Sequence, residues 1–323
     1  MDDGLVSVIV NVYDCLDYLP TSLNSVRQQT YSNLEVIIVD DCSTDGSGEF
    51  CDEYCRQDER FRVIHHETNM GVSGPRNTGL KAARGEYIYF LDGDDYLHAE
   101  AIEALVEAIR EKNADLAIFD FERTSSLDED IHRPRRNESP RMVPVERIVF
   151  EMLSRVELKG CVSWNKLFRR SVIEGLSFND YYSIQDQDFN IRVYQRIKEA
   201  VYVPEPLYWY FQNPHSLQRT ESLIPKKFTL NTIYRFRMLD YLSKEGVEAE
   251  YRAWVIGYGY RQMFYRREIL RGTEYEDAFD KATRDIIRET RSEFYRSPYI
   301  PFRKKLSFPF HWYFPELQPS TTS

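Results

Sequence analysis

The sequence predicts an α/β protein: a doubly wound, mostly parallel sheet followed by a C-terminal helical extension. Two observations carry this. Apolar, β-branched runs alternate with segments of helical periodicity over residues 5–121, with short connections between them. From Lys226 to Glu293 the pattern is helical with few breakers. The chain has 323 residues, enough for one large domain or two ordinary ones.

Residues 5–12 form a near-continuous β-branched run, as expected of a strand buried on both faces. Leu16, Leu19, Leu23 and Val26 then recur at helical spacing. Residues 34–40 read as a second buried strand, and the polar turn Asp41 to Ser47 leads into a helix through about Gln57. Phe61 to His65 make a third strand, and a glycine-punctuated segment from Gly71 enters a helix through about Arg84. Glu86 to Leu91 is a fourth strand, 99–112 an amphipathic helix and Leu116 to Phe121 a fifth strand. The stretch from Glu122 to Pro144 is polar and reads as a surface loop or boundary. Helices near 145–155 and 186–198, the segment Trp164 to Phe168, and a strand pair at about 200–211 follow.

Composition narrows the classes. Hydrophobic residues at 42% and charged residues at 29% exclude wholesale disorder. A net charge of −10 argues against a dedicated nucleic-acid binder. Five cysteines, Cys15, Cys42, Cys51, Cys55 and Cys161, contain no CxxC pair, so neither a disulfide framework nor a zinc site is expected. No apolar run reaches membrane-spanning length, and Met1-Asp2-Asp3-Gly4 does not read as a secretory leader. A reducing cytoplasm is the expected compartment. Tyr, Phe and Trp make up 14% of the chain, more than a core needs. Nine of these aromatics fall in residues 294–314, with four Lys or Arg and no acid. That tail reads either as an extended segment packed on this domain or another subunit, or as an interfacial membrane contact.

The chemistry concentrates at strand ends, where doubly wound sheets bind ligands. Asp92-Gly93-Asp94-Asp95 follows an apolar strand directly. Carboxylates packed this closely repel one another and are best kept ionised by a cation. Mg²⁺ or Mn²⁺ takes one or two such carboxylates plus phosphate oxygens. The plain alternative is a solvated turn with Asp95 as a helix cap. At Asp40-Asp41 a carboxylate could accept from the imide N–H of uracil, or form a turn into the next helix. His65-His66 reads as a strand end rather than a ligand pair, because adjacent strand residues face opposite ways.

Five motifs in order resemble glycosyltransferase family 2: Val6 to Asp14 with Gln29-Thr30-Tyr31, Val39 to Ser47, Asn69 to Gly79, Gly85-Glu86-Tyr87-Ile88 leading to Leu91–Asp95, and Trp164-Asn165-Lys166-Leu167-Phe168. The resemblance covers roughly residues 5–220. It implies a GT-A fold, with a nucleotide-sugar half over 1–121, an acceptor half over 122–220 and a helical extension over 221–323. It implies inverting transfer from a UDP-sugar to a glycan hydroxyl, assisted by Mn²⁺ or Mg²⁺. Carried over, Tyr13 flanks the base, Asp41 holds uracil, Arg76 lies near the nucleotide and diphosphate, Asp92 approaches the ribose and Asp94 is the metal ligand. Asp95 is the alternative register for that ligand, one position on.

The same resemblance places the catalytic base in Gln185-Asp186-Gln187-Asp188-Phe189, at Asp186, where a helix cap is the structural alternative. Gln185 stands where the family often has Glu, and Asn11, a candidate donor contact, where it usually has Pro. Asp95, Trp164, His215 and Arg219 are candidate acceptor or phosphate contacts. By analogy the setting is assembly of a bacterial surface polysaccharide or glycoconjugate, on a lipid-linked or protein-linked acceptor. The protein would then be cytoplasmic or peripheral at the inner membrane face, with the tail as a membrane or homo-oligomer contact. A non-catalytic nucleotide-sugar or glycan binder with a degenerate site is the other reading.

Overall fold

Parallel pairing begins at the first β-branched run. The computed structural model describes residues 4–127, 130–136, 138–154, 161–179 and 185–213. Beyond these it describes 256, 257, 260, 263, 267, 269–274, 276–298, 300, 302, 303 and 305. Strands β1 (Val6–Val12), β2 (Leu34–Asp40), β3 (Phe61–His65) and β4 (Tyr87–Asp92) are all parallel, in the order β3-β2-β1-β4. The aliphatic residues of β1 and β2 alternate between both faces of the sheet, and all of Val6, Val8, Ile9, Val10, Val36, Ile37, Ile38 and Val39 are buried.

Four connections carry helices: α1 (Leu19–Arg27), α2 (Ser47–Cys55), α3 (Ser73–Ala82) and, after the two-residue β5 (Tyr96–Leu97), α4 (Ala101–Lys112). Helix α3 lies close against β1. A Cβ added at Gly79 would stand 2.3 Å from Ile9 Cγ2, so only glycine permits that approach.

Beyond β4 the sheet turns antiparallel. β6 (Leu116–Thr124) and β4 flank β8 (Lys166–Arg169), which is antiparallel to both. β9 (Glu199–Phe211) runs parallel to β6, and β5 and β7 (Arg141–Pro144) pair antiparallel with β9. The predicted strand pair at 200–211 is thus one 13-residue strand. Pro204 and Pro206 suggest a break, but register shifts around Asp120 in β6 absorb them. The polar stretch after Glu122 also contributes more than a loop, because β6 continues to Thr124 and β7 lies within it. The remaining helices of this part are α5 (Val145–Ser154), α6 (Arg170–Ile173) and α7 (Gln185–Tyr194).

The chain divides into two units. The first takes in Met1–Ile148, Leu158–Asp180 and Gln185–Leu217; the second takes in Val149–Glu157, Tyr181–Ile184 and Gln218–Ser323. Described residues of the second centre on α8 (Glu276–Arg296). Phe279, Ile287 and Phe294 recur at helical spacing on its buried face. Phe294 stacks on Tyr260 with centroids 4.5 Å apart, and Arg267 makes a two-pronged ion pair with Asp280 at 2.9 and 3.0 Å. The helix stops just short of Pro298, as a proline requires. Most of the predicted 226–293 helical region, and residues 306–314 of the aromatic tail, lie outside the described residues. Among the described residues no helix is long and apolar enough to cross a membrane.

Candidate active site

Three sequence-predicted site residues meet on one buried guanidinium. Arg76, on α3, donates from Nη2 to Asp92 Oδ1 and from Nη1 to Asp186 Oδ1, both at 2.9 Å. Burial opposes the Arg76 cation, but Asp186 and Asp92 more than offset this and raise its pKa. The guanidinium also lies over the Phe178 ring at 5.4 Å, while Nε is buried without a partner.

Several elements aim these groups. β4 delivers Asp92 beside Asn11 in the parallel register of β1, and Asn11 Nδ2 donates to Asp92 Oδ1 at 3.2 Å. Asn11 Oδ1 stays buried and unpaired. A Cβ on Gly93 would stand 2.7 Å from the Asn11 carbonyl, so glycine is what lets the chain turn there. Asp186 sits in the first turn of α7, and Phe189 three residues on fixes that helix. Phe189 is fully buried, stacks on Phe178 at 4.0 Å and meets Phe90 and Phe168 edge-on. Asn77 then locks Phe178 in place: its Nδ2 donates to the Phe178 carbonyl, and its Oδ1 accepts from the Phe178 amide.

The rest of the acid cluster divides into two environments. Asp95 is buried, and its oxygens accept from Tyr208 OH at 2.5 Å and from the Phe211 amide at 2.7 Å. Burial, then Asp94 and Asp92, push its carboxyl well above the usual range. This carboxylate braces β9 and faces no open site. Asp94 is only half-buried and accepts from Asn213 Nδ2 at 3.1 Å. Burial and the charge of Asp92 raise its pKa, and among the described residues no cation pairs with its ionised form. Asp94 therefore fits a divalent cation. Among the described residues no group of three His, Cys, Asp or Glu could hold an ion unaided. The fit is to one or two carboxylates completed by phosphate oxygens.

At the end of β2 the geometry shows what sequence reasoning missed. Both histidines engage aspartates. His65 Nδ1 lies 2.9 Å from Asp40 Oδ2, and His66 Nδ1 lies 2.6 Å from Asp41 Oδ1. Alternation on a strand does send neighbours to opposite faces, but β2 alternates in the same way. The parallel register Asp40↔His65 therefore extends to the next residues along. Met70 N also donates to Asp41 Oδ1, at 2.9 Å, and His66 Nε2 lies 2.9 Å from Thr78 Oγ1. Tyr13, 47% exposed, stands at the end of the adjacent β1.

Trp164 belongs to the core. It is 4% exposed and stacks on Tyr208 at 4.4 Å, with Phe121 edge-on. His215 and Arg219 lie outside the described residues. Lys166, from the same motif as Trp164, is fully buried and donates to Asn165 Oδ1 at 2.7 Å and to the Val162 carbonyl. Burial pushes its amine down to about 7. None of the five cysteines is in a disulfide, and burial pushes Cys15, below Gly93, up to about 12, so it is no nucleophile.

The sequence pattern described as Glycosyl transferase family 2 matches residues 7–177. The chain belongs to glycosyltransferase family 2. EpsH of Bacillus subtilis (strain 168), named as a glycosyltransferase, is 38% identical over 220 residues, 65% of this chain and 61% of its own length. Glycosyltransferase GlyG of Streptococcus pneumoniae serotype 4 is 31% identical over 226 residues, covering 67% of this chain and 74% of its own. The chain spans about six tenths of the length of EpsH, at 61%, and of EpsJ, a glycosyltransferase of the same Bacillus subtilis strain, at 62%. In fold it is similar to residues 1–349 of S. aureus TarS in complex with UDP-GlcNAc, with a TM-score of 0.69 and 21% identity over 96% of this chain and 86% of that one. A mannosyltransferase from Pyrobaculum calidifontis, solved with GDP-Man and Mn²⁺, aligns with a TM-score of 0.52 at 14% identity, over 94% of this chain and 87% of that one. The family 2 match agrees with the parallel sheet and its two acid-bearing strand ends.

Proposed function

We propose that this family 2 protein is an inverting glycosyltransferase that moves a sugar from a UDP-sugar to a hydroxyl of a glycan acceptor. The observation that carries the reading is the Arg76 bridge, which fixes the Asp92 and Asp186 carboxylates on one guanidinium. Asp92 and the unpaired Asn11 Oδ1 suit ribose hydroxyls. Asp41, with Tyr13 nearby, suits a pyrimidine base. The UDP and UDP-GlcNAc complexes of TarS support a uridine donor. Asp94, with Asp92 near it, would hold Mn²⁺ or Mg²⁺ together with the diphosphate. Held there, it would supply the positive charge that offsets what builds on the departing diphosphate.

Asp186 serves as the general base. Arg76 engages its Oδ1, and among the described residues Oδ2 accepts no hydrogen bond. The acceptor hydroxyl gives its proton to Oδ2 as its oxygen bonds the anomeric carbon. The bond from that carbon to the diphosphate breaks, and its electron pair leaves with UDP. Because the base and the leaving group act on opposite faces of the sugar, the configuration inverts. Surface polysaccharide or glycoconjugate chains are the acceptor class in this reading.

A panel of UDP-sugars with Mn²⁺, read by UDP release, tests it. At least one donor should turn over. Asp186→Asn should lower transfer about 10²- to 10⁴-fold while leaving UDP affinity near that of wild type. UDP binding without transfer or hydrolysis in the wild type would instead support a non-catalytic binder. Silence with every UDP donor, alongside hydrolysis of a GDP-sugar, would overturn the uracil role of Asp41.

A further inference from the structure

We infer that His66 is a specificity-determining residue: it occupies one oxygen of Asp41, so that the other can serve only a base with a single N–H donor. The inference rests on the uridine-donor reading above and deepens it.

An ionised carboxylate is a two-oxygen acceptor. Left free, it suits guanine better than uracil, because guanine presents N1–H and the 2-amino group side by side. Uracil presents one N–H, at N3, between two carbonyls. A lone strand-end aspartate therefore does not explain a uracil preference. In this chain the two oxygens of Asp41 are unequal. Oδ1 accepts from His66 Nδ1 at 2.6 Å and from the Met70 amide at 2.9 Å, which fills it. Oδ2 accepts from no described residue. Only 3% of the Asp41 side chain is exposed, so a donor for Oδ2 has to come from a ligand that enters edge-on.

The ring of His66 is itself held. Its Nε2 lies 2.9 Å from Thr78 Oγ1 on α3, and its side chain is 8% exposed. A carboxylate can only accept, so Nδ1 carries the hydrogen in this pair. The Thr78 hydroxyl can donate to or accept from Nε2, which keeps the ring in place in either protonation state. The chain Thr78–His66–Asp41 thus joins α3 to the end of β2 and stops the carboxylate from rotating. Fold alone does not choose the base: solved neighbours of this fold hold UDP-GlcNAc in one case and GDP-Man in another. Side chains around the base must make that choice.

The test is titration of UDP and GDP into the full chain with Mn²⁺, for wild type, His66→Ala and His66→Asn, with thermal unfolding to confirm that each variant is folded. Wild type should prefer UDP. In His66→Ala the UDP-over-GDP preference should fall about tenfold or more, the scale of one hydrogen bond to a charged group. Donor KM should rise while kcat changes little. Asn can place an amide N–H where Nδ1–H stood, so His66→Asn should recover most of the preference. A folded His66→Ala that keeps the wild-type preference overturns the role of His66 and leaves the donor reading standing. A wild type that binds GDP but not UDP overturns the donor reading and this inference with it.

Discussion

At the end of β2, Asp40 and Asp41 each meet a histidine; at the end of β4, Asp92 meets an arginine, Asp95 a tyrosine, and Asp94, among the described residues, the side-chain amide of Asn213. Both clusters bring negative charge to the same edge of one parallel sheet. Donors within the protein largely satisfy the first. The second keeps one half-buried carboxylate whose ionised form is disfavoured by burial and by Asp92. The difference separates two jobs. A satisfied cluster can hold a neutral, hydrogen-bonding base in a fixed orientation. An under-compensated one attracts a cation and the phosphates that travel with it.

The largest effect should come from removing the Asp94 carboxylate. Asp94→Asn should lower transfer by about 10³-fold or more, since metal stabilisation of a leaving diphosphate is worth several kcal/mol. EDTA should have the same effect on the wild type, reversed by Mn²⁺ or Mg²⁺. Full activity after thorough chelation would erase the functional contrast between the two ends.

Next in size is the Arg76 bridge. Arg76→Ala leaves Asp92 and Asp186 without their shared cation, and should cost about 3–5 kcal/mol in urea unfolding. A loss below about 1 kcal/mol would mean that water replaces the guanidinium freely.

Lys166, on the strand beside β4, sharpens the comparison through pH. Its folded value of about 7 lies below the ordinary 10.5. Between these values the unfolded chain binds a proton that the folded chain does not, so stability rises with pH across that window. Wild type should gain roughly 2–4 kcal/mol on Lys166→Met between pH 7 and 10. Parallel pH profiles for the two proteins would show that the amine titrates alike in both states.

The smallest effect belongs to His65 at the β2 end. Its hydrogen bond to Asp40 raises its pKa against a smaller opposing burial effect. That contribution is present below the ordinary value of 6.5 and is lost as pH rises through the raised one. The ring is 41% exposed, so His65→Ala should cost less than about 1 kcal/mol at pH 6, and less again at pH 9.

Much of this was legible in the sequence. The β-branched runs of β1 and β2 and the apolar, aromatic run of β4 announce buried strands, and the aspartates at their ends announce a ligand edge. Short or irregular elements were not legible. β5 has two residues, too few for a period, and the prolines of β9 hide a continuous strand behind a bulge. Partners distant in sequence were equally invisible. Nothing near Arg76 indicates that its second carboxylate lies 110 positions away, on a helix held there by Phe189. His66 was readable only with the β2–β3 register in hand. Asp95 resembles its neighbours in sequence, and only the reach of Tyr208 and Phe211 makes it a brace.

That register bears on how this part of the chain can vary in length. Between Asp41 and Phe61 the backbone passes through α2 and a surface turn, where doubling a loop costs only about 0.6 kcal/mol in closure entropy. A single residue inserted within β3 itself, ahead of Ile64, would turn the side chains that follow it to the opposite faces, move His65 into the place of His66 and put Ile64 opposite Asp40, which then loses its histidine. Extra residues, including a genetically inserted label, are therefore better tolerated beside exposed Gln57, before Asp58 ties the turn to Arg60 and Arg27, than a few residues later in β3.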